Sequence, residues 1–266
     1  MLAESVTTAA DQLPLAAEAG VSRAARLLRN VAMEEAGKFL ALIDVYRAPG
    51  ATQKTISSQF KRCNAHLPKL IYAQIADYSI ASYSELSKLI QQLRQQFSLD
   101  GPMDFDFIVR NELLQRREGE MYVDLMDIEG ELRWIGPVDV GPDHPFVNRS
   151  LELVRAIHRS GLTTPSGLQA LSDAWSGFDP QKEHHFGSWH ARNTAAVRAV
   201  APLVGAPGAD QWADAAGKAA WLWPMPLVEE DLSMAKVDPG ELEDERERRY
   251  NAFLRREYGF DEPYGP

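Results

Sequence analysis

The sequence predicts a mainly α-helical protein, because long segments repeat apolar residues at intervals of three and four positions. The clearest is the segment 21–46, where Leu28, Ala32, Phe39 and Leu42 follow this spacing. Glycine and proline separate such segments, and only one short stretch changes to the alternating period of a β-hairpin. The hydrophobic content of 45% and charged content of 25% are typical of a globular protein. We therefore expect a helical bundle with one small β-hairpin and a helical C-terminal extension.

The predicted elements follow one another with few interruptions. In the first half, helices are expected over residues 3–18, 22 to about 48, 53–64, 67–97 and about 105–117. The Ser/Tyr-rich middle of the fourth helix, 77–84, indicates a bend or a wet cleft. Residues 121–135 read as a hairpin that turns at Glu129-Gly130. After Pro145, helices are expected over 146–160, 165–176, 183–204, 208–222 and 239–257.

Composition excludes several classes of protein. The net charge of -10 argues against binding of nucleic acid through overall electrostatic attraction. A local basic patch on an acidic protein could still bind it. With Cys63 as the one cysteine, neither an intrachain disulfide nor a thiolate zinc site is predicted. No apolar run approaches the roughly 20 residues that span a bilayer, and the start lacks the pattern of a signal peptide. We expect a cytoplasmic protein with no membrane contact.

Two adjacent glutamates are expected to have different roles. Glu35 falls on the apolar helical stripe, where burial of a carboxylate is unfavourable unless a cation pairs with it. Glu34 lies on another line of the helix, one turn before Lys38, and these two residues are interpreted as an ion pair on the helix surface. Gly37 lacks a side chain, which allows another helix to approach closely. The candidate partners for Glu35 are Lys69, Arg116 and Arg117.

A basic cluster at 61–69 is the first candidate site. Arg62, His66 and Lys69 lie near the junction of two predicted helices. Cations and an imidazole gathered at one point can bind a phosphodiester, and the imidazole can also transfer a proton. The alternative is a helix start with solvated basic residues.

A second cluster lies at the C-terminal end of the predicted helix that precedes the hairpin. Arg116 and Arg117 end that helix, and Tyr122 and Asp124 follow on one face of a strand. The alternative is that the arginines compensate the helix dipole while the hairpin packs on the bundle.

A third cluster has the residue types of a metal site but unfavourable spacing. His185 and His190 are five positions apart, which does not stack them on a helix face. We therefore predict no metal and no cofactor, and keep a metal hydrolase only as a third, minor hypothesis. Its ligands would come from Glu183, His184, His185 and His190.

Three motifs together resemble a known family. They are Ala-Met-Glu-Glu-Ala-Gly-Lys at 32–38, His-Leu-Pro-Lys at 66–69, and the segment 117–124 that ends in Tyr-Val-Asp. Their order and separation resemble the AbiV-type abortive infection proteins of the HEPN superfamily. The resemblance covers residues 1 to about 137, so we expect a HEPN-like bundle over 1–137. Residues 138–266 are then a helical extension of unknown role that packs on the first part.

The resemblance implies a function in bacterial defence against phage. Many HEPN proteins are metal-independent endoribonucleases, in which an Arg and a His from each protomer meet across a dimer cleft. By this resemblance His66 is the proton-transfer residue, Arg62 or Lys69 is the phosphate clamp, RNA is the substrate and the protein is a homodimer. The supporting residues would be Glu35, Lys38, Arg116, Arg117, Tyr122 and Asp124.

An alternative from a different functional class stays open. Three residues separate Arg62 from His66, fewer than in the usual HEPN signature. This departure favours a non-catalytic defence protein that binds or senses a phage protein through its helical surface.

Overall fold

The computed structural model confirms a mainly α-helical protein. It describes residues 2–18, 22–100, 107–121, 124–128, 131–135, 148–179, 185–203 and 209–259. The helices of the first half are α1 (Leu2–Glu18), α2 (Ser22–Ile43), α3 (Gln53–Arg62), α4 (His66–Ala76), α5 (Tyr83–Arg94) and α6 (Glu112–Met121). Those of the second half are α7 (Arg149–Arg159), α8 (Pro165–Ala174), α9 (Phe186–Val200), α10 (Ala209–Leu222) and α11 (Pro239–Tyr258). In the described part of the chain, no helix is both long and apolar enough to cross a membrane.

The predicted hairpin is present, and a second antiparallel strand pair accompanies it. Strands β3 (Asp124–Ile128) and β4 (Glu131–Ile135) pair with Ile128 opposite Glu131, and the two turn residues between them lie outside the described residues. Strands β1 (Gln96–Asp100) and β2 (Phe107–Asn111) form the second pair, with Leu99 opposite Ile108. The helix expected over 105–117 therefore begins only at Glu112. Its first part, Phe-Ile-Val, favours a strand because β-branched and aromatic residues fit a pleated surface.

The single helix expected over 67–97 is two helices, α4 and α5. Two polar residues between these helices, Asp77 and Ser82, make capping contacts. Asp77 follows α4, and its Oδ1 accepts a hydrogen bond of 3.3 Å from the backbone N–H of Ser150 near the start of α7. Ser82 precedes α5, and its hydroxyl accepts a bond of 3.3 Å from the N–H of Glu85. The polar middle of the segment thus serves two helix ends, which explains why it interrupts the apolar pattern.

Helix α2 lies at the centre of the bundle, in contact with α1, α4 and α7. The crossing of α2 and α4 is close because Gly37 carries no side chain. A Cβ atom at Gly37 would lie 1.9 Å from the carbonyl oxygen of Lys69, far inside van der Waals contact. The expected role of Gly37 in helix approach is confirmed.

The helices predicted after Pro145 are all present, and they share a hydrophobic cluster with the first half. Ile71 and Leu86 from the first half belong to this cluster together with Leu153, Trp175 and Trp189 from the second. Residues of both halves therefore contribute to one hydrophobic core. The boundary expected between residues 137 and 138 lies outside the described residues.

A buried arginine connects the two halves. The Arg47 guanidinium lies between the rings of Trp175 and Trp223, 4.2 and 4.1 Å from their centroids. Its Nη1 atom donates to Asp44 Oδ1 at 2.7 Å, and Asp44 Oδ2 accepts from the N–H of Leu227 at 3.0 Å. Trp223 and Leu227 belong to an extended segment, 223–237, which we call the strap. The strap crosses the first half and pairs at Ala235 with the residues beside β1.

Candidate functional site

The candidate site is centred on Glu34, which α2 presents to α4 and α6. Glu34, Gly37, Ala41 and Asp44 follow one another at steps of three and four and are all buried. This line forms a second buried side of α2, beside the apolar stripe that contains Ala32 and faces the rest of the bundle. Helix α2 thus packs on two sides, and the carboxylate of Glu34 lies at the contact with α4.

Three cationic or titratable side chains bind the carboxylate of Glu34. Its Oε2 atom lies 2.8 Å from Nδ1 of His66 and 2.7 Å from Nζ of Lys69. Its Oε1 atom accepts a hydrogen bond from Nε of Arg117, which comes from α6. Burial raises the pKa of Glu34, but the hydrogen bonds from Lys69, Arg117 and His66 outweigh it and lower the pKa to about 2. Glu34 is therefore a carboxylate at neutral pH.

His66 is the exposed member of this cluster. It is the first residue of α4, and 49% of its side chain is open to solvent, against 11% for Glu34. Because the ionised carboxylate only accepts hydrogen bonds, the His66 Nδ1 atom must carry the proton of their contact. The other ring nitrogen, Nε2, has no hydrogen-bond partner among the described residues. In the neutral ring this nitrogen is free to accept a proton.

The roles expected of Glu34 and Glu35 are reversed in the structure. Glu35 is half-buried and lies 3.7 Å from Lys38, a loose contact between two partly exposed side chains. Glu34, interpreted from the sequence as the surface partner of Lys38, is the buried carboxylate. The expectation was wrong because it assigned α2 a single buried stripe. Only the packing of α4 and α6 on the other side of α2 buries Glu34.

Arg62 does not lie with His66 at the site, although both belong to the basic cluster. Its guanidinium donates to the carbonyl oxygens of the strap residues Leu227 and Val228, at 3.2 and 3.0 Å, and also to that of Glu230. A further bond of 3.1 Å reaches Gln59 Oε1. These contacts hold the strap against α3, so Arg62, one of the two residues expected as the phosphate clamp, is bound to main-chain carbonyl oxygens.

Lys69 is close to His66 but buried. Its ammonium group is bound to Glu34 and only 10% of its side chain is exposed. Lys38 is more accessible, with 35% of its side chain exposed. Burial raises the pKa of the Cys63 thiol, and the positive charges of Lys38 and Lys69 oppose this effect. Both ammonium groups therefore lie near the turn between α3 and α4 that precedes His66.

The second cluster of the sequence contributes one residue to the site. Arg117 binds Glu34 rather than Glu35, its expected partner, whereas Arg116 forms an exposed ion pair of 2.8 Å with Glu112 on the surface of α6. Neighbouring residues of a helix point in different directions, so one arginine enters the site and the other does not. Tyr122 lies outside the described residues. Asp124 is the first residue of β3, opposite Ile135.

The third cluster is divided. Glu183 and His184 lie outside the described residues, and His185 precedes α9 on the surface. His190 stacks on the ring of Phe186, with centroids 5.8 Å apart, and its Nδ1 atom lies 3.1 Å from the carbonyl oxygen of Ala220. Within the described ranges, no three His, Cys, Asp or Glu side chains are grouped as metal ligands would be.

Comparison with protein-family models, with curated proteins and with solved structures gave no match. The site is therefore interpreted from its own geometry. A buried carboxylate, with its charge balanced by Lys69 and Arg117, fixes the ring orientation and tautomer of a half-exposed histidine. Such an arrangement can position an imidazole for proton transfer at the protein surface. Sequence analysis identified His66 but missed Glu34, and the spacing of Glu34, Gly37 and Ala41 was the signal available for it.

Proposed function

We propose that this protein is a bacterial antiphage defence protein of the abortive-infection type, which cleaves RNA without a metal ion by using His66. The observation that carries the nuclease part is the 2.8 Å contact between Glu34 and the Nδ1 atom of the half-exposed His66. The defence part is supported by the resemblance of the segments 32–38, 66–69 and 117–124 to AbiV-type proteins. The function proposed for the site is proton transfer to or from an RNA backbone.

In the proposed reaction, the ribose 2′-oxygen attacks the adjacent phosphorus and the bond from phosphorus to the 5′-oxygen breaks. The Nε2 atom of His66 accepts the proton of the 2′-hydroxyl. The products are a 2′,3′-cyclic phosphate and a 5′-hydroxyl end. Glu34 stabilises the imidazolium that forms, because a carboxylate with a pKa of about 2 keeps its negative charge throughout.

The departing 5′-oxygen requires a proton from a second group. In the proposed homodimer, which follows from the HEPN resemblance, the second group is His66 of the other protomer in its imidazolium form, which gives its Nε2 proton to the 5′-oxygen as the bond to phosphorus breaks. Lys38 is the accessible cation closest along the chain to Glu34, and it supplies positive charge for the phosphate in place of Arg62. The proposed site therefore consists of His66, Glu34 and Lys38, with Lys69 and Arg117 in supporting positions.

The nuclease proposal is tested by incubating the purified protein with total RNA in EDTA. We expect cleavage by the wild type and a loss of about 100-fold or more in His66→Ala, the usual contribution of a general base. His158→Ala is the matched control, since His158 lies on α7, with its Nδ1 atom 3.2 Å from the hydroxyl of Thr163, and should leave cleavage unchanged. Wild-type protein that cuts nothing, even with extract from phage-infected cells, or His66→Ala that cuts equally well, would disprove the proposal.

The defence proposal is tested separately in living cells. A bacterial strain that expresses the wild-type chain should form fewer plaques with at least one phage of a diverse panel. His66→Ala at equal expression should restore plating if cleavage carries protection. Equal plating of all phages on expressing and non-expressing cells would contradict the defence role.

A specific observation favours the non-catalytic alternative as a second candidate. Arg62, Lys69 and Arg117 are all used in internal contacts, so three of the expected cations are not available to a ligand. In this alternative the Glu34 cluster only stabilises the bundle, and the surface binds a phage protein. Recovery of a stable phage partner from infected cells by both wild type and His66→Ala, without RNA cleavage, would favour it. Absence of any stable partner would count against it.

A further inference from the structure

Phe60 is a large apolar side chain exposed near the end of α3, six positions before His66 in the chain. It lies two residues before the end of α3, and 53% of its surface is open to solvent. Exposed hydrophobic residues are common in proteins, so its exposure alone indicates no function. The chain segment around it, however, differs in charge from the rest of the sequence.

The segment from Val45 to Ala76 contains no acidic residue, in a chain whose net charge is -10. Its exposed basic side chains are Lys54 and Lys61, both on α3. They lie seven positions apart, which places them on one line of the helix, about 100° around α3 from Phe60. A local positive surface with an aromatic ring is the combination that binds single-stranded nucleic acid.

The direction of α3 places Phe60 on the side of the site rather than on the side of the strap. Arg62 points toward the strap, where it donates to the carbonyl oxygen of Val228. Phe60 and Cys63 are three positions apart and so lie on neighbouring lines of the helix. Cys63 is buried, α3 contacts both α2 and α4, and residues 63–65 join α3 to His66 at the start of α4, so this flank of α3 faces α2 and α4.

We propose that Phe60 is the stacking platform for an unpaired base of an RNA strand whose backbone lies at His66, and that the substrate is single-stranded. This inference rests on the proposed function and names its substrate class. In a duplex both faces of a base are covered by its neighbours, so an aromatic side chain can stack only on an unpaired base or at an end. Lys54 and Lys61 contact the backbone on either side.

The experiment measures binding of fluorescently labelled oligoribonucleotides to the full-length chain by polarisation. All proteins carry His66→Ala, so that binding is measured without cleavage. The probes are a single strand of mixed sequence and the same strand in a blunt duplex. Phe60→Ala is compared with Phe60→Trp, which keeps an aromatic face, and with Tyr78→Ala. Tyr78 is the matched control because it is an aromatic residue of similar exposure, 48%, placed at the end of α4.

We expect the single strand to bind, and we expect the affinity for the duplex to be lower by about 10-fold or more. Phe60→Ala should weaken single-strand binding about 10-fold, the usual effect of removing one stacking contact. Phe60→Trp and Tyr78→Ala should bind as the parent does. Matching urea midpoints of the variants would establish that all are folded.

Each outcome distinguishes this inference from the nuclease proposal. Binding that depends on Phe60, in a protein whose wild type cuts nothing, supports the inference while the nuclease proposal fails. Single-strand binding that is the same with Phe60→Ala, beside RNA cleavage by the wild type in the separate nuclease assay, overturns the inference while the nuclease proposal stands. Equal affinity for single strand and duplex, or no RNA binding at all, overturns it. If Phe60→Ala instead loses a phage protein that the wild type captures from infected cells, while RNA binding is unchanged, the inference is also overturned.

Discussion

His66 and Glu34, 32 positions apart in the sequence, are joined by a hydrogen bond of 2.8 Å between Nδ1 and Oε2. The contact forms because Gly37 lets α4 lie directly on α2, which brings the first turn of α4 beside Glu34. One carboxylate therefore serves two purposes. It holds three helices together through Lys69 and Arg117, and it orients an imidazole at the surface.

Glu34→Gln should destabilise the protein strongly, whereas Glu35→Gln should not. Removal of the charge of Glu34 leaves Lys69 and Arg117 buried without a counter-charge, which costs about 3 kcal/mol in the free energy of unfolding. Glu35 has only a partly exposed contact of 3.7 Å with Lys38, so its change should stay within about 0.5 kcal/mol. Urea unfolding at pH 7 measures both. Equal effects of the two substitutions would contradict the assignment of Glu34 as the buried carboxylate.

The contribution of Glu34 should disappear in acid. Its folded-state pKa is about 2, below the ordinary value of 4.5, so the unfolded chain binds more protons between these values. The contribution, about 3 kcal/mol, is therefore complete above pH 4.5 and is lost as the pH falls toward 2. Urea unfolding between pH 2.5 and 6 should show the wild type approaching Glu34→Gln in stability. A difference between them that is independent of pH would refute the prediction.

Asp77 should have the opposite pH dependence. Burial raises the pKa of this carboxyl to about 6, although the backbone N–H groups of Ser150 and Arg149 oppose the effect. The folded state then binds more protons between pH 3.8 and 6, so Asp77 lowers stability as the pH rises through this window, by up to about 3 kcal/mol. Asp77→Asn keeps a capping oxygen for α7 and should remove this dependence. An unchanged slope of stability against pH between 4 and 6.5 in Asp77→Asn would contradict it.

Gly37→Ala should destabilise the fold, because the added Cβ would lie 1.9 Å from the backbone oxygen of Lys69. The helices must separate to accept it, at a cost of about 3 kcal/mol. Gly119→Ala is the matched control, since Gly119 is also helical and nothing lies within 4 Å of its Cβ position. That change should stabilise the protein by up to about 1 kcal/mol. Thermal unfolding separates the two, and a Gly37→Ala variant as stable as Gly119→Ala would be inconsistent with the close crossing.

Arg47→Lys should weaken the junction of the two halves. A lysine cannot stack its charged group flat between Trp175 and Trp223 while also donating to Asp44 and to the strap. We expect a loss of about 2 kcal/mol or more in urea unfolding. Arg198→Lys on the exposed side of α9 provides the control and should be neutral. If both variants unfold alike, the stacked guanidinium contributes little.

Much of the fold could be predicted from the sequence, because its signals are local. The period of the apolar residues and the glycine and proline breaks located the helices after Pro145, and β3 and β4 lie where alternation predicted the hairpin. Local signals failed where two elements compete for one segment. Phe107–Asn111 forms a strand because Gln96–Asp100 is available to pair with it, and nothing within the segment itself indicates the partner.

The candidate site was predicted only in part. His66 and Arg117 were identified by residue type and meet at the same carboxylate. Arg62 and Arg116 have the same chemistry but point elsewhere, one to the strap and one to solvent. Their direction depends on contacts with segments far away along the chain, and spacing within a cluster carries no information about those contacts.

The sequence by itself determined the helical class, the positions of most helices and the glycine that allows α2 and α4 to cross closely. Only the tertiary structure decided which of two adjacent glutamates is buried. Positions 34 and 35 are about 100° apart around α2, so the side on which α4 and α6 pack decides between them. That packing buries Glu34, leaves Glu35 near solvent and brings His66 to the carboxylate.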